Sequence, residues 1–305
     1  MSIQTLPIAC GINRAYALPL AVMLESLKQH LRPGVRPVLH LIHTGLPDPI
    51  LSAIGSIVET HSIRPSAAQL AGAPSDARFP VEASFPLLMP ELLPASLERV
   101  LFLDADMLVL GDLMHVWETP LNGHVLAAAV DGAVPRCSAP RGVKGWQALH
   151  IPADAPYFNG GVLLAHLALW RERDVPRRAR RYLETTREPI DFLHQEALNA
   201  VLWDDWLPLD QRWNLLATLA GRSYGSPLSE AAQPGVVHFA GRMKPWRAPI
   251  GGPFNAVYQR VLDRVVPIVP PEPVTPKELL YSVYDRHLRA MFYPIERYLW
   301  RRRLL

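Results

Sequence analysis

Two aspartates separated by one residue follow an apolar run in the first half of the chain. The run is 100–103, and the acidic segment is Asp104-Ala105-Asp106. Because alternate residues of an extended segment point the same way, both carboxylates can face one point. Two like charges withdrawn from water need a cation between them, and carboxylate oxygens suit Mn²⁺ or Mg²⁺. The segment predicts a divalent metal site, with capping or turn aspartates as the alternative.

A second segment places a histidine and a lysine after a short apolar run. His238 follows Val236-Val237, and Gly241, Lys244 and Trp246 come next. Imidazole is a ligand compatible with Mn²⁺, glycine permits close approach of the backbone to a ligand, and an ammonium group suits phosphate. A lone histidine after an apolar strand is more often a core residue, but the Lys-Pro-Trp sequence behind this one favours a binding role.

Two further segments carry polar residues that can contact a sugar. Asn159-Gly160-Gly161 opens an apolar run; its glycines would leave room for a sugar or a pyrophosphate, and the asparagine can donate and accept hydrogen bonds. A glycine turn before a strand is the alternative. His194-Gln195-Glu196 has by itself the pattern of an ordinary amphipathic helix.

Alternating strand and helix patterns predict the scaffold that positions these segments. Short apolar runs predict strands at 6–10, 38–43, 100–103, 125–130, 157–164 and 236–239. Helical spacing predicts helices at 16–31, 49–58, 87–97, 194–202 and from residue 167 onward. Residues 132–155 lack periodicity and predict a long functional loop. The order favours a mostly parallel sheet flanked by helices.

The composition indicates a soluble globular protein. At 305 residues, with 49% hydrophobic and 19% charged residues, the chain can bury a sizeable core. Its two cysteines, Cys10 and Cys137, exclude a disulfide framework and suit a reducing compartment. The N-terminus lacks a secretory pattern, and no run reaches the roughly 18 apolar residues of a membrane span. We expect a cytoplasmic protein.

Prolines mark a boundary near the C-terminus. Five prolines in 265–276 predict a stiff linker between a catalytic domain, 1–264, and a tail, 277–305. The tail has seven basic and three acidic residues, interleaved with aromatic ones such as Trp300. This pattern predicts a helix on an anionic membrane surface, with a helix packed on the catalytic domain as the alternative. No motif indicates nucleic-acid binding.

Taken together, in this order and spacing, the four polar segments resemble the family 8 glycosyltransferases. That family includes bacterial lipopolysaccharide galactosyl- and glucosyltransferases, glycogenin and plant galacturonosyltransferases. The resemblance covers roughly residues 6–250. It implies an α/β fold of the GT-A type (Rossmann-like, with a mostly parallel sheet flanked by helices), a UDP-sugar donor, Mn²⁺ or Mg²⁺, and retention of the anomeric configuration.

Carried over by position, the resemblance implies three groups of site residues. The metal ligands would be Asp104, Asp106 and His238. The donor would contact Asn13, Tyr16, Asp104, Ala105, Gly160, His194, Gly241 and Lys244. The catalytic group would be Gln195, as a dipole under the anomeric carbon, Asn159, lining the sugar, and Asp131, facing the acceptor.

Three positions depart from the family's pattern. Asn13 stands where an aspartate near the nucleobase is expected, Pro86 where an arginine should touch the donor, and His194 where a carboxylate should bind the sugar. We therefore expect intact metal chelation and altered donor recognition. Candidates to replace the missing arginine are Arg14, Arg136, Arg141 and Lys144.

The leading hypothesis is a retaining, metal-dependent hexosyltransferase. It would move glucose or galactose from a UDP-sugar to a glycan or lipid-linked glycan acceptor in bacterial lipopolysaccharide or other surface polysaccharide synthesis. A non-catalytic binder that keeps the fold and metal site is the second hypothesis, supported by Pro86. A haloacid-dehalogenase-like phosphohydrolase is the third, because that class also places Asp-x-Asp after an apolar strand. It normally does so on the first strand of its domain, whereas two strand–helix units precede Asp104.

Overall fold

A seven-stranded and a three-stranded sheet form the framework of the part of the protein that the structure, a computed structural model, describes. That part comprises residues 3–73, 79–220, 233–241, 244–248 and 253–283. The strands are β1 (Gln4–Ile12), β2 (Val35–His43), β3 (Glu59–Ile63), β4 (Arg99–Leu103), β5 (Met107–Val109), β6 (Leu126–Val130), β7 (Phe158–His166), β8 (Trp206–Leu209), β9 (Leu215–Leu216) and β10 (Val236–His238).

Helices connect the strands and cover the large sheet. They are α1 (Ala17–His30), α2 (Asp48–Ile57), α3 (Ala67–Leu70), α4 (Phe85–Leu92), α5 (Met114–Trp117), α6 (Leu167–Glu172), α7 (Val175–Thr185), α8 (Leu193–Leu202), α9 (Ala217–Ala220), α10 (Asn255–Val265) and α11 (Pro276–Val283). Single 3₁₀ turns lie at Arg14–Tyr16, Val81–Ser84 and Gln211–Asn214.

The large sheet has the order β3-β2-β1-β4-β7-β6-β8. Its pairs are parallel except where β7 runs antiparallel to β4 and to β6. The predicted mostly parallel sheet is confirmed. This arrangement brings the carboxyl ends of β1, β4 and β6 and the amino end of β7 to one edge of the sheet.

The central strands are buried on both faces, which explains their continuous apolar sequences. Alternate residues enter two separate cores. In β4, Leu101 and Leu103 pack with α1 and the small sheet, whereas Val100 and Phe102 pack with α4, α6 and α8. The two cores therefore hold the end of β4 in place from both faces of the sheet.

The small sheet has the order β5-β10-β9, and β5 begins directly after the acidic segment. In the antiparallel β5–β10 pair, His238 lies opposite Met107. Buried Ser26 of α1 accepts a hydrogen bond from the Val109 amide (3.0 Å) and ties the small sheet to this helix. The pairing register thereby brings His238 beside Asp106.

Several elements differ from their predicted bounds. The helix predicted at 87–97 is α4, which ends at Leu92 because two prolines, Pro90 and Pro94, limit its continuation. The edge strand β3 was not predicted, because its sequence is polar and much of it is exposed. Residues 132–155 contain no helix or strand, as predicted, and Arg136 forms one isolated bridge with Pro156.

The prediction that 265–276 is a linker outside the core is wrong for its first half. Helix α10 continues through Val265, and Val269 is only 2% exposed because it packs in the core beside α1. The Arg14 side chain contacts Glu272 (2.8 Å), and Arg247 donates to the Pro273 carbonyl oxygen (2.7 Å). The division at 264 and 276 stays a prediction.

Helix α11 begins the predicted tail at Pro276–Val283, and residues 284–305 lie outside the described part. Among the described helices, none is both long and apolar enough to cross a membrane.

Candidate functional site

The predicted polar segments meet at the carboxyl edge of the large sheet. Asp104 follows β4, and its amide donates to the Gly161 carbonyl oxygen of β7 (2.9 Å). The Asp106 carbonyl oxygen accepts from the Phe239 amide, directly after β10 (2.9 Å). Backbone hydrogen bonds thus fix the acidic segment against β7 and against the residue that follows β10. These bonds also set where the side chains of Asp104, Asp106 and His238 meet.

Asp104, Asp106 and His238 form a compact cluster. His238 Nε2 lies 3.3 Å from Asp106 Oδ1 and 3.6 Å from Asp104 Oδ2. One ligand atom from each of the three residues lies within 4.8 Å of the others. Asp106 and His238 are buried, and Asp104 is partly open to solvent. Carboxylate and imidazole groups are common ligands of divalent cations, so these side chains fit a divalent metal ion.

The electrostatics of the cluster are asymmetric. Burial and the neighbouring charge of Asp106 raise the pKa of Asp104 to about 7. Burial acts in the same direction on Asp106, but Lys244 and His238 outweigh it and hold the pKa of Asp106 below its ordinary value. Burial lowers the pKa of His238, and the charge of Asp106 outweighs this effect and raises it. The two carboxyl groups of the cluster therefore differ in how readily they lose a proton.

Lys244 lies at the edge of the cluster. Its Nζ atom is 2.5 Å from Asp106 Oδ2 and donates to the Phe239 carbonyl oxygen (3.0 Å). Nζ also lies 5.3 Å from the ring centre of Trp246 and 5.9 Å from that of Tyr16, which pack edge to face. These aromatic contacts explain the Lys-Pro-Trp sequence, because the tryptophan helps to hold the ammonium group. Gly241, between His238 and Lys244, has φ +98°, a conformation that favours glycine.

The glycine pair of β7 makes room for the protein's own imidazoles. A Cβ on Gly161 would lie 2.6 Å from His238 Cε1 and 2.9 Å from Asp104 Oδ2. A Cβ on Gly160 would lie 2.7 Å from His194 Nε2. His194 and His238 fill the space that a side chain at either glycine would need. Contact of these glycines with a ligand stays a prediction.

A chain of hydrogen-bonded side chains leads away from His238. His238 Nδ1 pairs with Asn214 Oδ1 (3.0 Å), Asn214 Nδ2 donates to Asn159 Oδ1 (2.8 Å), and Asn159 Nδ2 donates to Asp131 Oδ2 (2.8 Å). Gln195 Nε2 donates to the same oxygen of Asp131 (3.1 Å), and Gln195 Oε1 accepts from the Gly160 amide (2.9 Å). The residues predicted to be catalytic are thus in one hydrogen-bonded network with the cluster of Asp104, Asp106 and His238.

Asn214 has no place in the sequence prediction. It ends the 3₁₀ turn before β9, and it is 5% exposed. The available signal is a polar residue directly before the apolar pair Leu215-Leu216, which alone points to no partner.

A cleft of about 250 Å³ opens beside the cluster, and its lining includes Asn13, Tyr16, Pro86, Ala105 and His194. Asn13 Oδ1 accepts from the Ala15 amide (3.1 Å) and caps the 3₁₀ turn that ends in Tyr16. His194 Nδ1 lies 3.0 Å from the Ala83 carbonyl oxygen, and burial lowers the pKa of His194 to about 4. His194 is therefore neutral at physiological pH. This one cleft is lined by all three positions that depart from the family's pattern, Asn13, Pro86 and His194.

The basic residues that could replace the missing arginine lie in different places. Arg141 and Lys144 both pair with Asp191, and the Lys144 contact is 2.6 Å long. Arg14 pairs with Glu272 and lines a cleft of about 520 Å³ together with Lys244. Of these three, Arg14 is the one that shares a cleft lining with Lys244.

Residues 7–249 match the family described as Glycosyl transferase family 8. The chain belongs to this family. The predicted family is therefore confirmed, and the match overturns the haloacid-dehalogenase alternative, which rested on the Asp-x-Asp pattern alone.

Two curated relatives show how this family 8 protein compares. General stress protein A of Bacillus subtilis is 28% identical over 189 residues, which cover 58% of this chain and 63% of the relative. The lipopolysaccharide 1,2-glucosyltransferase of Escherichia coli K12 is 27% identical over 175 residues, which cover 53% of this chain and 48% of the relative. The chain thus matches less than two thirds of the length of each of these relatives.

Among solved structures, the galactosyltransferase LgtC in complex with donor and acceptor sugar analogues superposes with a TM-score of 0.73 at 21% identity. The match covers 91% of this chain and 100% of LgtC. The predicted GT-A fold of this family 8 protein is confirmed.

Replacing Gly161 with alanine tests the close packing around the cluster. We expect Gly161→Ala to lower the free energy of unfolding by about 1–3 kcal/mol, because the new methyl group overpacks His238 and Asp104. Urea denaturation measures this change. Gly55→Ala is the matched control: a Cβ there meets open space in α2, so the variant should be as stable as the wild type or slightly more stable. Equal stability of the two variants would show that Gly161 is not constrained.

Proposed function

We propose that this protein is a retaining, metal-dependent hexosyltransferase that uses a UDP-sugar, with glucose or galactose as the transferred sugar. The observation that carries the proposal is the meeting of Asp104, Asp106 and His238 with Lys244 at the carboxyl edge of the sheet. This set can hold a divalent cation and a diphosphate side by side. Family membership supports the same chemistry.

In the proposed reaction, a cation held by Asp104, Asp106 and His238 would supply Lewis-acid stabilisation to the leaving diphosphate. Lys244 adds a second positive charge at the same edge, in a position enclosed by Tyr16 and Trp246. Gln195 is held at both ends of its carboxamide, by Asp131 and by Gly160, so its dipole is fixed before substrate arrives. We propose that this dipole stabilises an oxocarbenium-like transition state in which the bond from the anomeric carbon to the diphosphate breaks. The acceptor oxygen bonds to that carbon from the same side, and its hydroxyl proton passes to the departing diphosphate.

Asp131 has a positioning role in this proposal. Its Oδ1 accepts from the amides of Ala133 and Val134 (2.8 and 2.9 Å), and its Oδ2 accepts from Asn159 and Gln195. The carboxylate is 3% exposed, and four N–H groups occupy its acceptor sites. A carboxylate bound in this way orients its neighbours beside the acceptor rather than removing a proton from it.

UDP release without acceptor is the direct test. The purified protein with MnCl₂ is expected to hydrolyse slowly one of UDP-glucose, UDP-galactose and UDP-N-acetylglucosamine, with UDP measured by a coupled assay. Asp106→Ala and added EDTA should both reduce the release to background, because each removes the cation. Asp154→Ala, which removes an exposed carboxylate from the long loop, should retain the wild-type rate.

Two other outcomes separate the alternatives. Calorimetric binding of a UDP-sugar without turnover, with or without acceptor glycan, would favour the non-catalytic binder, for which Pro86 and His194 are the motivating features. Neither binding nor release across the panel would refute the uridine-donor proposal.

The affinity for Mn²⁺ is expected to rise with pH between 5.5 and 7.5. Asp104, with a pKa of about 7, and His238, with a raised pKa, must both be deprotonated to bind the cation. Below the pKa of a group that must lose one proton, the apparent affinity falls about tenfold per pH unit. Titration calorimetry in several buffers measures both the affinity and the protons released. An affinity independent of pH would contradict the proposed ligands.

We also propose that the tail, 277–305, binds an anionic membrane surface, where a lipid-linked glycan acceptor would be found. Supporting features are the exposed side chains of Leu279, Leu280 and Val283 in α11 and the arginine-rich sequence that follows. The full-length protein should co-sediment with phosphatidylglycerol vesicles and not with phosphatidylcholine vesicles.

Replacing Arg301, Arg302 and Arg303 with glutamine should weaken that partitioning on the order of 100-fold, at about 1 kcal/mol per basic residue. Replacing Arg177, Arg178 and Arg181 of α7, which are exposed, removes the same charge from another surface and should have little effect. Equal losses for the two triple variants would refute a specific role for the tail.

A further inference from the structure

Asn214 is the member of the hydrogen-bonded chain that contacts His238, and Asn159 continues the chain from it to Asp131. It is buried, and its carboxamide has one partner at each end: His238 Nδ1 at Oδ1 and Asn159 Oδ1 at Nδ2. A carboxamide accepts at its oxygen and donates from its nitrogen, so the orientation of one carboxamide determines whether the next group in the chain must donate or accept. Asp131 fixes this orientation for the whole chain.

Asp131 determines how Asn159 is oriented. The carboxylate accepts all four of its hydrogen bonds, from two backbone amides and from Asn159 and Gln195. Asn159 must therefore present its nitrogen to Asp131 and its oxygen to the opposite side. The Gly161 amide, which can only donate, lies 3.0 Å from that oxygen and requires the same orientation independently.

The orientation of Asn159 determines that of Asn214 in turn. Because Asn159 Oδ1 is an acceptor, Asn214 must present Nδ2 to it, which leaves Asn214 Oδ1 facing His238 Nδ1. An oxygen at 3.0 Å from this ring nitrogen requires a proton on Nδ1. In the neutral imidazole, the lone pair is then on Nε2, the atom that faces Asp104 and Asp106.

We propose that Asn214 is a positioning residue that holds His238 in the Nδ1-protonated tautomer and so prepares Nε2 as the metal ligand. Through Asn159, it links this tautomer to Asp131. The inference rests on the proposed metal site, and it adds a residue that acts through His238. Partners of this kind fix the ring and the tautomer of a ligand histidine.

Metal affinity and the tautomer can be measured without donor or turnover. Asn214→Leu, which keeps the approximate size and removes both hydrogen bonds, should weaken Mn²⁺ binding by about 10–100-fold in calorimetry. Two-bond ¹H–¹⁵N NMR of the histidine rings, recorded at a pH at which the His238 ring is neutral and with His238 assigned by its loss in His238→Ala, should show the wild-type ring protonated on Nδ1. In Asn214→Leu, a mixture with the Nε2-protonated form should appear.

Asn199→Leu is the matched control for loss of a buried asparagine. Asn199 is fully buried and hydrogen-bonded to Phe158 and to the Gln195 carbonyl oxygen, outside the chain that leads to His238. This variant should lose stability comparably and retain the His238 tautomer and the Mn²⁺ affinity.

Asn214→Asp distinguishes positioning from filling space. Aspartate still accepts from His238 Nδ1 although it no longer donates to Asn159 Oδ1, which keeps the Gly161 amide as its donor. The tautomer should therefore persist, and Mn²⁺ affinity should stay within a few fold of the wild type. A residue that only fills space would give the reverse order, with leucine equal to or better than aspartate. That order, or an unchanged tautomer in Asn214→Leu, would overturn the proposal.

Failure of the proposed function would look different. If wild-type protein bound no Mn²⁺ or released no UDP while Asn214→Leu still changed the His238 tautomer, the metal or donor proposal would fail and the control of His238 by Asn214 would stand. Normal Mn²⁺ binding and UDP release in Asn214→Leu would instead reject this inference alone.

Discussion

Asp104 and Asp106 place two carboxyl groups on a short turn between two buried strands, and such a pair can ionise together only beside positive groups. The surrounding structure supplies them from the distant segment that contains His238 and Lys244. This requirement accounts for the small sheet, because the β5–β10 pairing is what brings that segment to the turn. It also accounts for Gly161, since any side chain there would separate His238 from Asp104.

The sequence predicts the parts of the site whose signals are local. The apolar run before Asp104 and the run before His238 each identify a strand and the polar residue at its end, and the structure brings these residues together. The sequence does not predict that the strands form two separate sheets, because β5 and β9 are too short to show an alternating pattern of apolar and polar residues. The role of the glycine pair could not be predicted either, since it depends on side chains that are distant in sequence.

The roles of the polar residues Asn214 and Asp131 also depend on contacts between segments that are distant in sequence. Asp131 was placed correctly at the end of a strand, but its four donors come from its own loop, β7 and α8. Only the fold shows that the carboxylate is fully engaged. Asn214 gave no signal, because a single asparagine between two strands is common in turns.

The three positions that depart from the family's pattern have a common location and a common physical character. Asn13, Pro86 and His194 line one cleft, and each places an uncharged group where a charged one is expected; His194 is neutral because its pKa is lowered to about 4. In the first turn of α8, the residue at position 194 can change without altering the contacts of Gln195 and Glu196. Consecutive helix residues point about 100° apart, so His194 contacts the cleft, Gln195 contacts Asp131 and Gly160, and Glu196 accepts from Tyr182 and the Lys144 amide. A substitution at position 194 can therefore change the lining of the cleft while the contacts of Gln195 and the anchor of the long loop remain in place.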